Sequence, residues 1–300
     1  MAALGKSDWN RPLDYLRILP QYVYPHHLLS RLAFRIARLR YPPIRQRLIR
    51  WFVHHYQVDL QDAVPADIAA YPDFNSFFTR PLRQGARPIC ADPDAVVSPV
   101  DGEVSQIGQI ERDCLLQAKG RTYRLADLLG RHPPWHHTFS GGSFVTIYLA
   151  PRDYHRVHMP VQGKLTGMLH VPGRLFSVNH STTRVVSSLF TRNERVILYF
   201  ETPASPFALV LVGALLVGNI ETVWAGAIAP ARSRRRQPQF YGEEGSRAIV
   251  LARGAEAARF NMGSTVIVLF PPGAAAWAPR VNFGTRVVLG QRLGNLLALP

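Results

Sequence analysis

The segment Arg259-Phe-Asn-Met-Gly-Ser-Thr-Val-Ile-Val-Leu-Phe270 joins a glycine turn to an apolar run. The β-branched and apolar run from Val266 to Phe270 predicts a buried strand. Ser264 therefore lies where a turn enters that strand. Because Gly263 has no side chain, its carbonyl group is open to the hydroxyl of Ser264. The tripeptide Gly-Ser-Thr alone is most often an ordinary turn, so its meaning depends on residues elsewhere in the chain.

Two upstream motifs supply the groups that a reactive serine needs. Asp101 follows Ser-Pro-Val, and His155 and His158 lie in Asp-Tyr-His-Arg-Val-His-Met-Pro. A serine hydroxyl is a poor nucleophile until a base removes its proton, and histidine titrates in the right range. A carboxylate can hold the tautomer of such a histidine. Asp101, His158 and Ser264 are thus candidates for orienter, base and nucleophile. Each residue also has an ordinary structural explanation, because Asp-Gly is a common turn and buried histidines are usually hydrogen-bonded.

Composition limits the partners and the cellular setting. The 300 residues are 47% hydrophobic and contain 35 basic against 20 acidic side chains, a formal net charge of +15. This excess favours an anionic membrane surface, a nucleic acid or an acidic substrate. Cys90 and Cys114 form no Cys-x-x-Cys pair, which predicts reduced thiols in a protein that faces the cytosol. We expect no signal peptide, and no transmembrane helix because the apolar run 207–217 is shorter than the roughly 20 residues required.

Residues 1–63 are predicted to form a basic, amphipathic, helical membrane-binding region. The first 55 residues contain ten Lys or Arg and only two acidic residues. Leu28, Leu32 and Ile36 repeat at helical spacing with arginines between them, and a second basic helix follows Pro42-Pro43. Basic helices with an apolar face suit an anionic bilayer. The alternative is that these apolar faces pack on the protein core.

Residues 64–300 are predicted to form a β-rich catalytic domain, so that the whole chain has an α+β fold. A short helix is expected at 74–79, ended by Pro81, and another at 125–130. The three-histidine segment 132–142 is interpreted as an exposed loop, and no metal site is expected. The predicted strands are bounded mainly by Gly or Pro: 96–97, 102–110, 143–149, 163–171, 195–202, 208–217, 221–227 and 265–270.

Three functional classes remain open on the residues alone. The order Asp, His, Ser also occurs in one class of serine hydrolases, which makes a membrane-bound acyl hydrolase one reading. A strand rather than a helix is expected after Ser264, and no Gly-x-Ser-x-Gly elbow is present. That context suits attack of the serine on its own peptide bond, at the carbonyl carbon of Gly263. A nucleic-acid-binding protein would show a basic groove interleaved with aromatics, whereas these basic residues are predicted on amphipathic helices. No nucleic-acid partner is therefore expected.

Several ordered motifs resemble one enzyme family, the bacterial membrane-associated phosphatidylserine decarboxylases, from about residue 15 to about residue 272. Met262 stands where the family usually has leucine, a near-isosteric apolar exchange. The chain after Pro272 and the arginine-rich loop near 234 match the pattern poorly. The motifs that carry the resemblance are Phe77-Phe-Thr-Arg-Pro-Leu, Ser98-Pro-Val-Asp-Gly, Ala150-Pro-Arg-Asp-Tyr-His-Arg-Val-His-Met-Pro, Leu175-Phe-Ser-Val-Asn-His, Leu189-Phe-Thr-Arg-Asn-Glu-Arg, Val212-Gly-Ala, Ile220-Glu-Thr-Val-Trp-Ala-Gly and Gly263-Ser-Thr.

The resemblance implies a self-processing enzyme. Asp101, His158 and Ser264 match the family's self-cleavage triad, and cleavage between Gly263 and Ser264 would give a β chain (1–263) and an α chain (264–300). Ser264 would become a covalent pyruvoyl cofactor, which forms a Schiff base with phosphatidylserine and releases CO₂ to give phosphatidylethanolamine. The position of His155 beside His158 makes it our candidate for the proton donor in that step. The resemblance also implies a homodimer bound peripherally to the cytoplasmic side of the cell membrane.

Overall fold

The computed structural model describes residues 15, 18–118, 120–215, 219–229, 238–242, 248–261 and 264–297. In chain order its helices are α1 (His26–Ala37), α2 (Pro42–Tyr56), α3 (Phe74–Phe78), α4 (Leu125–Leu128), α5 (Pro133–Phe139), α6 (His180–Val185) and α7 (Leu189–Arg192), with 3₁₀ turns at Leu19–Tyr22 and Ile68–Ala70. Its strands are β1 (Ala95–Val97), β2 (Gly102–Gln109), β3 (Cys114–Ala118), β4 (Arg121–Arg124), β5 (Ser143–Leu149), β6 (Arg156–His158), β7 (Gly163–Val171), β8 (Arg195–Glu201), β9 (Pro206–Val212), β10 (Ile220–Thr222), β11 (Gly226–Ala229), β12 (Pro238–Phe240), β13 (Val250–Leu251), β14 (Glu256–Phe260), β15 (Ser264–Phe270), β16 (Ala275–Trp277), β17 (Arg286–Val287) and β18 (Arg292–Leu296).

Strand β15 lies in the middle of the largest sheet. The order of that sheet is β12-β7-β8-β9-β15-β5-β2-β17, with β13 also paired to β7, and β15 is antiparallel to both β5 and β9. Val266 and Val268 point into one hydrophobic cluster, whereas Ile267 and Leu269 point into a second cluster on the other face. Because both faces of β15 are covered, its sequence is continuously apolar rather than alternating.

A second, four-stranded sheet holds the histidine motif close to this strand. Its order is β11-β10-β14-β6, and β14 leads directly along the chain toward β15. The antiparallel pairing of β14 with β6 places Glu256 opposite His158. Asp101 lies between β1, in the three-stranded sheet β1-β18-β16, and β2, in the large sheet. The two remaining strands, β3 and β4, form a separate hairpin.

The N-terminal helices leave an apolar face in solvent. Leu28, Leu32 and Ile36 on α1 are 64%, 54% and 43% exposed, and Trp51 on α2 is 54% exposed. The opposite side of α2 packs against α3 in a third hydrophobic cluster, to which Phe52 belongs. Phe52 therefore packs on the protein core, as the alternative interpretation predicts. The exposed apolar residues of α1 and Trp51 do not. Within the described part of the chain, no helix is long and apolar enough to cross a membrane.

The predicted α+β class is confirmed, and three local predictions are wrong. The strand predicted at 208–217 ends at Val212. The segment interpreted as an exposed loop at 132–142 contains α5, which begins at Pro133. Proline at a helix start costs nothing because the first N–H groups of a helix have no partner inside it. The single strand predicted at 221–227 is the hairpin of β10 and β11, with Gly226 at φ +66° after the turn. The domain boundary after residue 63 stays a prediction.

Candidate active site

Ser264 is the first residue of β15 and is completely buried. Among the described residues, its Oγ has no hydrogen-bond partner, and the same holds for Oγ1 of Thr265 beside it. Leaving a buried hydroxyl unpaired costs about 1–3 kcal/mol, so the hydroxyl of Ser264 does not stabilise this position through a hydrogen bond. The predicted cleavage partner Gly263 lies outside the described residues, as does Met262.

His158, on β6, is held as a neutral base with one defined tautomer. Its Nδ1 lies 2.8 Å from the backbone oxygen of Gly254, and its Nε2 lies 3.0 Å from the hydroxyl of Tyr154. Because a carbonyl oxygen only accepts, Nδ1 carries the proton and Nε2 accepts from Tyr154. Burial lowers the pKa of His158 below its ordinary value of 6.5. Nε2 is therefore the nitrogen that can take up a proton.

Asp101 is close to this histidine in the fold but bonds to other groups. Its carboxylate accepts hydrogen bonds from Arg87, at 2.7 Å from Nη2, and from the backbone N–H of Leu289 at 2.8 Å. The guanidinium of Arg87 also pairs with Asp62 at 2.9 Å. The direct Asp101–His158 hydrogen bond of a serine-protease-like triad is thus replaced in this structure by separate partners for each group. Burial lowers the pKa of His158, and the negative charge of Asp101 is one of the smaller effects that oppose this lowering.

His155 is fully buried beneath the same site. Its ring stacks on Phe78 with centroids 4.1 Å apart, and Nε2 lies 3.1 Å from the carbonyl oxygen of Ala150. Ala150 directly follows Leu149, which pairs with Ser264 across β5 and β15. Burial, followed by the charge of Arg80, lowers the pKa of His155 to about 3. The ring is neutral, with its proton on Nε2 and a lone pair on Nδ1 that has no partner among the described residues.

Comparison with known proteins identifies the family. A family model described as phosphatidylserine decarboxylase matches residues 74–295. The chain belongs to the phosphatidylserine decarboxylase family. A second model, described as PSD, matches residues 16–57. The family match continues well beyond residue 272, so the expectation that the resemblance ends there is wrong.

Relatives within the phosphatidylserine decarboxylase family align over almost the whole chain. A protein of Pseudomonas fluorescens is 51% identical over 285 residues, covering 95% of this chain and 98% of the relative. A protein of Pseudomonas aeruginosa is 50% identical over 288 residues (96% and 98%), and one of Methylococcus capsulatus is 50% identical over 275 residues (92% and 94%). All three are described as phosphatidylserine decarboxylase proenzymes. These matches support the decarboxylase reading and give no support to the hydrolase.

Sequence reasoning missed three residues at or near the predicted triad of this member of the phosphatidylserine decarboxylase family. Tyr154 lies inside the quoted histidine motif, and its position four residues before His158 could have indicated a contact at a tight turn. Arg87 lies 14 residues before Asp101 and no spacing rule joins them, because their contact depends on how the chain packs. Arg80 lies in the Phe77-Phe-Thr-Arg motif, which gives it no role, although it is almost completely buried.

Proposed function

We propose that this protein is a phosphatidylserine decarboxylase, made as a precursor that cleaves itself between Gly263 and Ser264. The products are a β chain of residues 1–263 and an α chain of residues 264–300. The observation that carries the proposal is the buried, unpartnered hydroxyl of Ser264 at the start of a central strand, in a chain about half identical to decarboxylase proenzymes. The overall reaction converts phosphatidylserine into phosphatidylethanolamine and CO₂.

Self-cleavage uses groups that the chain already holds. Nε2 of His158 takes the proton of Ser264, with the hydroxyl of Tyr154 moving aside or relaying that proton. The freed oxygen attacks the carbonyl carbon of Gly263, and the C–N bond of the peptide is replaced by an ester. Elimination then removes the Cα proton of residue 264 to a base and breaks the bond between Oγ and Cβ, which leaves a carboxylate on Gly263 and dehydroalanine at position 264. Addition of water and loss of ammonia complete the new N-terminus of the α chain.

The residues around position 264 fit a pyruvoyl group derived from Ser264. The unpartnered Oγ1 of Thr265 and Nδ1 of His155 are buried polar atoms that a newly formed carbonyl group or its bound substrate could satisfy. A pyruvoyl group supplies the electron sink that no ordinary side chain provides when CO₂ leaves.

His155 is suited to moving one proton during turnover. With a lone pair on Nδ1, it can accept the proton that the substrate ammonium must lose before its nitrogen can react. The same atom can return that proton to the substrate carbon after CO₂ has left. His155 would therefore accept a proton from the substrate first and act as the predicted proton donor afterwards. Replacing His155 with alanine should leave self-cleavage intact and lower turnover, whereas equal loss of both would remove this division of roles.

Mass measurement under denaturing conditions tests the processing. The active protein should give two chains, 1–263 and 264–300, with the shorter one lighter than its encoded sequence by one ammonia. S264A should give one chain of full length, because it lacks the attacking oxygen. An intact single chain from fresh, active wild-type protein would refute the pyruvoyl mechanism.

We infer that residues 1–63 bind the anionic, phosphatidylserine-containing surface on the cytoplasmic side of the cell membrane. The support is the exposed apolar face of α1 and Trp51, combined with arginines on the same helices. A diacyl lipid does not leave its bilayer readily, so the enzyme must reach the surface where the substrate lies. We also expect a homodimer, which light scattering after size exclusion would measure directly; a monomer at assay concentrations would refute it.

The membrane inference is tested by changing exposed residues rather than by deleting the helices. L28S/L32S removes two apolar side chains from the outer face of α1, each worth about 1.5–3 kcal/mol when buried in lipid. Binding to anionic liposomes should weaken at least about 10-fold, with self-cleavage unchanged. V250S, at an exposed position on β13, is the matched control and should not alter binding. Unchanged flotation of the double variant would refute the inference.

A further inference from the structure

Arg80 is a buried cation whose hydrogen-bonding capacity is largely unused. Its residue surface is only 3% exposed. Nη2 lies 3.3 Å from the backbone oxygen of Arg152, whereas Nε and Nη1 are buried and have no hydrogen-bond partner in the part of the chain that the structure describes. Within the described residues, no carboxylate forms an ion pair with this guanidinium. An arginine keeps its charge under all ordinary conditions, so the cost of burying it is not relieved by loss of a proton.

Arg195, in the same protein, shows how a structural arginine is accommodated. It is 1% exposed and donates to the backbone oxygens of Leu128, Asp127, Thr191 and Asn193. Other partly buried arginines are neutralised by acids, as Arg87 is by Asp101 and Arg156 by Glu256. Arg80 has neither arrangement. Since an incompletely paired buried charge costs several kcal/mol, its retention requires another explanation.

The position of Arg80 connects it to the reaction centre. It lies two residues beyond Phe78, whose ring stacks on His155, and its Nη2 bonds to the loop that leads into the histidine motif. Arg156 bonds to the backbone oxygen of Thr79, which fixes the backbone next to Arg80 against the same segment. The charge of Arg80 is the second cause, after burial, that lowers the pKa of His155. The free donors of Arg80 therefore lie within electrostatic reach of the candidate proton-transfer group.

We propose that Arg80 binds the phosphodiester of the substrate head group. This inference rests on the proposed function and adds the group that recognises the substrate anion. A planar guanidinium with two free nitrogens matches a phosphate in a forked geometry.

The substrate carries two anionic groups, and catalysis distinguishes between them. The carboxylate loses its charge as CO₂ forms, so a cation bound to it would stabilise the ground state more than the transition state and slow the reaction. The phosphodiester keeps its charge throughout. Binding it holds the substrate without raising the barrier.

The kinetic test compares the full-length, self-processed enzyme with R80Q, R80K and a control. R131Q is the control because the side chain of Arg131 is 75% exposed and forms its ion pair with Asp127, four residues before it. Activity on phosphatidylserine is measured in neutral detergent micelles, so that attraction to a charged surface does not contribute. R80Q should raise KM at least about 10-fold with little change in kcat, because the phosphodiester is bound equally in ground and transition states. R80K should show a smaller rise, since an ammonium cannot bind in a fork, and R131Q should match wild type.

Competition experiments identify which anion Arg80 binds. Glycerol 3-phosphate carries a phosphate without a carboxylate, and 3-hydroxypropionate carries the reverse. R80Q should weaken inhibition by the phosphate compound about 10-fold and leave inhibition by the carboxylate compound unchanged. The opposite pattern would overturn the proposal in favour of carboxylate binding. Unchanged KM and unchanged inhibition would overturn it in favour of a purely structural arginine.

Self-cleavage of every variant is scored by mass, which separates this inference from the proposed function. A wild-type chain that never cleaves would refute the proposed function. A folded R80Q chain that stays uncleaved would refute only the present inference, because it would assign Arg80 to processing. R80K keeps the buried charge and provides the same readings if R80Q does not fold.

Discussion

Replacing His155 with glutamine should make folding less sensitive to acid. The folded protein holds this imidazole neutral, with its pKa lowered from 6.5 to about 3, chiefly by burial. The stability that neutral His155 contributes is complete above pH 6.5 and is lost as the pH falls toward 3, because the unfolded chain binds the proton first. Each pH unit in this range costs about 1.4 kcal/mol, which gives about 2 kcal/mol at pH 5. Glutamine can keep the hydrogen bond to Ala150 but does not titrate.

The measurement uses the S264A background, so that unfolding concerns one uncleaved chain. Urea denaturation of S264A and S264A/H155Q is followed at pH 7.5 and pH 5. The histidine protein should lose about 2 kcal/mol more than the glutamine protein between these conditions. F52L, in the third hydrophobic cluster, should lower stability equally at both pH values. Equal acid sensitivity of S264A and S264A/H155Q would refute the claim that the folded state excludes the proton.

Three further predictions concern the predicted triad and the residues that bond to it. Y154F removes the hydroxyl that donates to His158, and cleavage followed by mass should slow about 10-fold, the equivalent of one hydrogen bond; an unchanged rate would exclude an orienting or relaying role. R87Q removes a charged partner of Asp101 and should lower stability by about 2 kcal/mol; a double-mutant cycle with D101N measured by urea unfolding should show coupling, and strict additivity would contradict the contact. Because the pKa of His158 is lowered by burial, the acid limb of the cleavage rate should lie below pH 6.5; a midpoint above that value would contradict a buried neutral base.

The features that depend on local pattern can be predicted from the sequence. The bounds predicted for strands 143–149 and 163–171 are those that the structure shows, because apolar runs between turn residues are a local signal. The predicted start of β15 is correct to one residue for the same reason. The exposed face of α1 is also visible in the spacing of its leucines. Helix α5 escapes prediction because Pro133-Pro134 indicates a loop on composition, although proline is favoured in a first helical turn.

The partners of the site residues could not be predicted because they depend on distant contacts. The hydrogen bond from Leu289 to Asp101 joins positions 188 residues apart, and Gly254 bonds to His158 from 96 residues away. A sequence comparison with serine triads suggests that Asp101 faces the histidine directly. In the structure, the carboxylate of Asp101 instead bonds to Arg87, and His158 bonds to Tyr154 and to the backbone oxygen of Gly254. Residue types are therefore easier to predict than the bonds between them.

The sheet explains how a cleaved chain could keep a precise reaction centre. After cleavage at Ser264, strand β15 would remain hydrogen-bonded between β5 and β9, both of which belong to the longer chain. The contact of Asp101 with Leu289 and the ion pair of Asp153 with Arg286 also join the two sides of the cleavage point. The backbone break would thus free the end at residue 264 without releasing the strand that carries it. A reactive end on a central strand is positioned by two ladders of hydrogen bonds, which serves a site that must align a bound substrate with His155.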